Sequence, residues 1–165
     1  IYRRMRQEME NIVLIGMPGS GKSTIAALLA ERLHRPLLDS DAQVVETAGR
    51  PIPDIFAAGG EDAFRALETA ALAELGKRSG AILATGGGSV CRAENYPLLH
   101  QNGTIFWLQR DLALLPKDGR PISQRSDLAE LYARRAPLYA RFADAVIDNN
   151  GAPEQTVQQI LEVLT

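Results

Sequence analysis

The chain has 165 residues, the size of a single domain with room for a sizeable core. Its 18 Lys and Arg against 20 Asp and Glu leave a net charge of −2, so the basic excess that drives non-specific polyanion binding is missing and no nucleic-acid partner is expected. One cysteine, Cys91, and two histidines, His34 and His100, argue against a disulfide framework or a structural zinc site, and no apolar run approaches the roughly 20 residues of a membrane span; a soluble, cytoplasmic chain with no membrane partner is expected.

In chain order, residues 1–10 (IYRRMRQEME) are polar and mixed in charge, without the apolar stretch of a signal peptide. They read as an N-terminal extension, an added piece or the remnant of a fused enzyme, ahead of one domain over 11–165. Asn11–Ile15 (NIVLI) is a short apolar run, read as a buried strand. A glycine-rich turn leads into a helix through about Leu33, with Ile25, Leu28, Leu29 and Leu33 near helical spacing and Pro36 as its stop. Leu37-Leu38 open a second strand that runs on through Asp39-Ser40-Asp41, and a short helix ends near Gly49. Pro51 and Pro53 break the chain before a helix from about Glu61 to Leu75. Ala81–Ala84 is a third strand, closed by Gly86-Gly87-Gly88, and Thr104–Leu108 a fourth. A polar stretch over 109–126 precedes a helix of about Leu128–Arg135, a fifth strand at Asp144–Ile147, and a last helix opened by Pro153, where proline suits the first helical position. Strands alternating with helices imply an α/β fold: a parallel sheet joined by crossovers and covered by helices on both faces.

Gly16-Met17-Pro18-Gly19-Ser20-Gly21-Lys22-Ser23 fits G-x-x-x-x-G-K-[ST] in full, between a predicted strand and a predicted helix. Glycines let the backbone wrap with its N–H groups inward, and the helix N-terminus favours an anion there. Lys22 reaches the terminal phosphates, the Ser23 hydroxyl ligates Mg²⁺, and Thr24 follows into the helix. The motif predicts ATP with Mg²⁺. It says nothing of an acceptor.

Candidates for the acceptor site lie downstream. Read as extended, the segment Asp39-Ser40-Asp41 turns one carboxylate to the metal and the other to an acceptor hydroxyl on the opposite side; alternatively Asp41 only caps the next helix. Arg65 and Glu68 are three apart on a helix, which suits either an oriented guanidinium or a plain surface ion pair. Gly86–Gly88 permit close backbone approach to a ligand or form a flexible turn. Arg120 sits in DGRPI and Arg135 in RRAPLY. Cys91 is expected to be a small buried side chain, Trp107 a core residue, and the histidines surface or helix-end residues.

Taken together, the P-loop, D-S-D, G-E-D-A-F-R-A-L-E, G-G-G, R-P-I and R-A-P-L-Y, in that order, resemble the shikimate kinase family from about Glu10 to Thr165. The resemblance implies a three-layer αβα P-loop NTPase fold of the nucleoside-monophosphate-kinase branch, with a five-stranded parallel sheet and a mobile lid over about 110–126. The substrate-binding segment falls at about 39–68. It implies transfer of the ATP γ-phosphate to the 3-hydroxyl of shikimate, in aromatic amino acid biosynthesis, by a monomer. Asp41 then resembles the anchor of the shikimate hydroxyls and candidate base, and Asp39 the residue that reaches Mg²⁺ through water. Arg65 and Arg135 resemble the pair on the substrate carboxylate, assisted by Gly86, Gly87 and Gly88. Lys22 and Arg120 resemble the groups on the transferring phosphate. Gly16, Pro18, Gly19, Ser20, Gly21, Ser23 and Thr24 belong to the nucleotide cradle, with Asn149 and Pro153 of the adenine loop. Relatives usually carry a longer lid with a further arginine that stacks on adenine; here Leu108–Arg120 is short, Ala113 stands at about that place, and Arg110 or Lys117 are its candidate substitutes. Two other readings are a kinase of this architecture with a different acceptor, such as a nucleotide or sugar acid, and a nucleotide-gated binding module without catalysis.

Overall fold

In a computed structural model, which describes residues 1–115 and 122–165, every residue of β1 (Asn11–Ile15) is buried. β-branched and apolar side chains fit a strand covered on both faces. Three further strands, β2 (Leu37–Asp39), β3 (Ile82–Ala84) and β4 (Gly103–Gln109), and a fifth, β5 (Ala145–Asp148), join it in the order β2-β3-β1-β4-β5, all parallel. Register aligns Ile12 with Ile82 on one side and with Thr104 on the other. Because β3 and β4 lie on opposite sides of β1, the chain switches direction at the carboxyl end of β1, where open α/β sheets bind ligands.

The period of two along β1 divides the core. Val13 and Ile15 face one cluster with Leu83, Ile105, Trp107 and Tyr139; Ile12 and Leu14 face the other with Phe106, Ile25 and Ile160. Each such side chain contributes roughly 1.5–3 kcal/mol by leaving water. On the first face lie α4 (Ile52–Gly76), α5 (Asn95–His100) and α6 (Ile122–Phe142); on the second lie α2 (Lys22–Leu33) and α7 (Pro153–Leu164). The three-layer αβα architecture is therefore as the sequence implies. Among the described residues no helix is long and apolar enough to cross a membrane.

Several elements differ from the sequence reading. Residues 1–10 are not featureless: Tyr2–Met9 form α1, with exposed Arg4 and Glu8 paired one turn apart. The second strand stops at Asp39, and Ser40–Ala48 is already helix, α3. Pro51 and Pro53 do not interrupt the chain; they open α4, Pro53 sitting in its first turn where no backbone donor is needed. α4 is broken at Gly60 (φ 74°, ψ −170°), so the expected start near Glu61 marks only its second half. The helix expected over 128–135 extends to Ile122–Phe142 and runs through Pro137, which removes one backbone donor; Tyr139 and Phe142 buried against the sheet hold it there. Cys91, expected buried, is exposed at the end of a 3₁₀ turn. Trp107 is core, 6% exposed, and His100 is a helix-end residue paired with Asp144. Lys117, Arg120 and the centre of the segment expected as a lid lie outside the described residues.

Candidate active site

The loop after β1 takes its shape from glycines that no other residue can replace. Gly21 (φ 97°) begins α2, and a Cβ there would stand 2.5 Å from Asn149 Nδ2. A Cβ on Gly16 would stand 2.7 Å from the Leu108 carbonyl. The chain is thus pressed against its neighbours so that its concave side stays open. Lys22 Nζ donates to the carbonyls of Gly16 (2.7 Å) and Met17 (2.9 Å). Burial pushes its pKa down to about 8; Asp41 raises it, Arg135 lowers it further, and Asp39 raises it. Ser20 Oγ is buried with no hydrogen-bond partner among the described residues. A cradle that a Cβ would fill, an orphaned hydroxyl and a lysine bonded, among the described residues, to two carbonyls together fit an incoming phosphate chain.

Beside the loop lies a cavity of about 470 Å³ lined by Pro18, Lys22, Ser23, Asp39, Asp41, Gly86 and Gly87. Asp39, not Asp41, caps α3, with Oδ1 accepting from Ala42 N at 3.0 Å. Asp41 sits in the first turn of that helix. Both carboxylates line the same cavity, correcting the expectation that they face opposite ways: the segment is not extended beyond Asp39. Burial raises the Asp41 pKa first and the Asp39 charge adds to it, against Lys22 and Arg65.

Arg65 and Glu68 are no surface pair. They are 8% and 1% exposed, and Arg65 Nη1 donates to Glu68 Oε1 at 2.9 Å. Arg65 also reaches Glu61 at 3.3 Å and lies over the Phe64 ring. Burial works against the guanidinium charge, but Glu68 outweighs it and holds the Arg65 pKa above its ordinary value. Glu68 Oε2 is buried with no hydrogen-bond partner among the described residues, and burial raises the Glu68 pKa against the pull of Arg65. The glycine turn is likewise built rather than loose. Gly86 N donates to Ser40 Oγ at 3.0 Å, and a Cβ on Gly86 would stand 2.8 Å from Asp41 Oδ1. A Cβ on Gly87 would strike the Pro18 ring, and one on Gly88 the Arg65 guanidinium. Arg135, half-buried on α6, acts electrostatically on Lys22, Glu68 and Tyr139. Lys22, Asp39 and Asp41 therefore line one cleft, with Arg65 against the adjoining Gly88 and Arg135 within electrostatic reach of Lys22.

A second cavity, about 290 Å³, opens on the other flank of the loop between Gly19, Thr24, Arg110, Asn149, Gly151 and Pro153. Asn149 Nδ2 donates to Ser20 O at 2.7 Å while its Oδ1 accepts from Thr156 at 2.6 Å. Arg110 Nη1 donates to Asn149 O at 2.7 Å. Ser40, Thr156 and Tyr139, which donates to Gly87 O, are site-building residues that the sequence reading did not assign. Ser40 could have been noticed between the two aspartates; nothing local marks Thr156.

A sequence profile described as shikimate kinase matches residues 18–165. The chain is 41% identical to the shikimate kinase of Pseudomonas syringae pv. tomato over 94% of its own length and 95% of that protein. It is 42% identical to the shikimate kinase of Moorella thermoacetica, covering 93% and 94%. Shikimate kinase from Acinetobacter baumannii, solved in complex with shikimate, superposes with a TM-score of 0.90 at 34% identity, over 98% of this chain and 96% of that one. The P-loop alone would leave many families open; with this coverage and the arginine, aspartate and glycine groups gathered at one cleft, the chain belongs to the shikimate kinase family.

Proposed function

We propose that the protein transfers the γ-phosphate of ATP to the 3-hydroxyl of shikimate, giving shikimate 3-phosphate and ADP. The observation that carries this reading is the meeting of Lys22, Asp41, Gly86 and Gly87 around one cavity beside the phosphate loop, with Arg65 against the adjoining Gly88. Shikimate is a small polyol with one carboxylate. Planar guanidinium forks suit a carboxylate bidentately, and Arg65, its plane set by Glu61 and Glu68, is preorganised for it. Arg135 and the glycine backbone complete the grip.

Asp41 accepts the 3-hydroxyl proton as a bond forms from that oxygen to the γ-phosphorus and the bond from phosphorus to the β,γ-bridging oxygen breaks. Lys22, released from its two carbonyls, neutralises charge on the transferring group. Mg²⁺, when bound, would offset charge on the β- and γ-phosphates, held by Ser23 and, through water, by Asp39. A site of one hydroxyl, water and phosphate oxygens is ordinary for this ion. Arg110, tied to Asn149 and facing Pro153 across the second cavity, takes over the adenine contact that Ala113 cannot make. An ATP-consuming biosynthetic step suits the cytoplasm.

Calorimetric titration of shikimate with and without ADP, together with coupled ADP release, tests the reading. Binding of shikimate and shikimate-dependent ADP release are expected; a different acceptor class from a panel of sugar acids and nucleotides supporting faster turnover would replace it.

A further inference from the structure

Tyr139 is fully buried, yet its hydroxyl is placed where the acceptor grip is assembled. The phenol donates to the carbonyl of Gly87, the middle residue of the glycine turn. Its oxygen at the same time faces the Arg135 guanidinium, one helical turn earlier on the same face of α6. A hydroxyl has one proton to give and lone pairs to receive, so both uses are compatible. The ring itself packs 5.5 Å from Trp107 in the core.

We infer that Tyr139 is a positioning residue for the acceptor carboxylate: its hydroxyl locks the Gly87 peptide and the Arg135 side chain into one arrangement. Deepening the proposed function, this inference rests on the reading that Arg135 and the glycine turn hold the substrate carboxylate. Without the hydroxyl, the Gly87 carbonyl loses its buried donor and is free to rotate, and the neighbouring peptide N–H groups turn with it. Arg135 then keeps its charge but loses an anchor that fixes its plane. Burial lifts the phenol pKa to about 12, against the opposing pull of Arg135, so the proton stays on the oxygen across the range in which the enzyme works. Arg65 does not depend on this arrangement, being held by Glu61 and Glu68 on α4.

The test is Tyr139→Phe in the full chain, compared with Trp107→Phe as a packing control. Tyr139→Phe should raise the KM and Kd for shikimate about tenfold, leaving the Kd for ADP and kcat within about threefold. Trp107→Phe should lower the melting temperature without that selective loss. In a double variant with Arg135→Ala, the two costs in shikimate affinity should be less than additive. Unchanged shikimate affinity in Tyr139→Phe, equal weakening of both ligands, the same selective loss in Trp107→Phe, or full additivity each overturns the inference. Should the wild-type chain fail to bind shikimate at all, the proposed function falls, and the positioning role is read in the ligand-free protein by NMR. There, faster rotation of the Arg135 guanidinium and faster exchange of the Gly88 amide in Tyr139→Phe support it, and unchanged signals overturn it.

Discussion

Asp41, the base of the proposed reaction, shows how surroundings set the proton affinity of one carboxylate. It is displaced from water, shares its cavity with Asp39, and is restrained by Lys22 and Arg65. Its pKa is raised, so on the acid side it is protonated, and lost as a base, at a higher pH than an ordinary aspartate. The acidic limb of kcat/KM should therefore lie above the usual carboxylate range. Asp41→Asn should cost at least about 10²-fold in kcat, as removal of a general base does, and abolish that limb while ADP affinity stays within a few fold. An unshifted limb in the variant would remove Asp41 from the role. The residues that shape this corner were legible to different degrees. Lys22 and Ser23 could be named from an eight-residue pattern because a phosphate cradle needs contiguous backbone. That Arg65 is buried could not, since three-residue spacing to Glu68 looks the same on a wet helix face and a dry one.

At the scale of elements, the decisive feature of α4 is its break. Gly60 adopts φ 74°, ψ −170°, a region open to glycine and strained for other residues. A Cβ there would meet nothing within 4 Å, so a substitution tests backbone strain alone. The break lets the first half of the helix fold back so that the Phe56 and Phe64 rings sit 4.9 Å apart, next to Arg65. Gly60→Ala should cost about 1–3 kcal/mol in chemical denaturation and weaken shikimate more than ADP. Full stability with unchanged shikimate affinity would show that the break is dispensable. The sequence reading placed a helix only from about Glu61 because Pro51 and Pro53 are ordinary breakers; packing of Ile55 and Phe64 into one small core overrode them. The strands fared better. Short apolar runs such as Ile12–Ile15 have few other uses, so their existence was clear and only their ends moved. Asp144, for one, leaves β5 to receive the Ile105 N–H at 2.8 Å.

For the whole molecule, the phosphate loop is held at a cost to stability. The Lys22 pKa is about 8 in the folded chain against an ordinary 10.5, so the unfolded chain binds this proton more tightly. From pH 8 upward the folded state sheds the proton first, and stability gains through this group until about 10.5, by on the order of 3 kcal/mol. Tyr139, raised from 10 to about 12, works the other way above pH 10, where the unfolded chain ionises first. The wild type minus Lys22→Met difference in unfolding free energy should therefore climb between pH 8 and 10, with the ligand-free variant the more stable of the two at pH 7. A flat difference would mean the lysine is not desolvated. Adding ADP should reverse the ranking at pH 7, because only the wild type gains full phosphate binding.

The strand order has a further consequence. The residues proposed for the nucleotide base (Arg110, Asn149, Pro153) hang from β4 and β5, while Asp39, Asp41, Arg65 and Gly86–Gly88 hang from β2 and β3 or the helices between them. On the proposed assignments, and apart from Arg135 on α6, the groups that hold the acceptor thus fall in one contiguous stretch, residues 37–88. Such a layout is a replaceable cassette: a related kinase could exchange that stretch for another and change its customer without redesigning its fuel inlet.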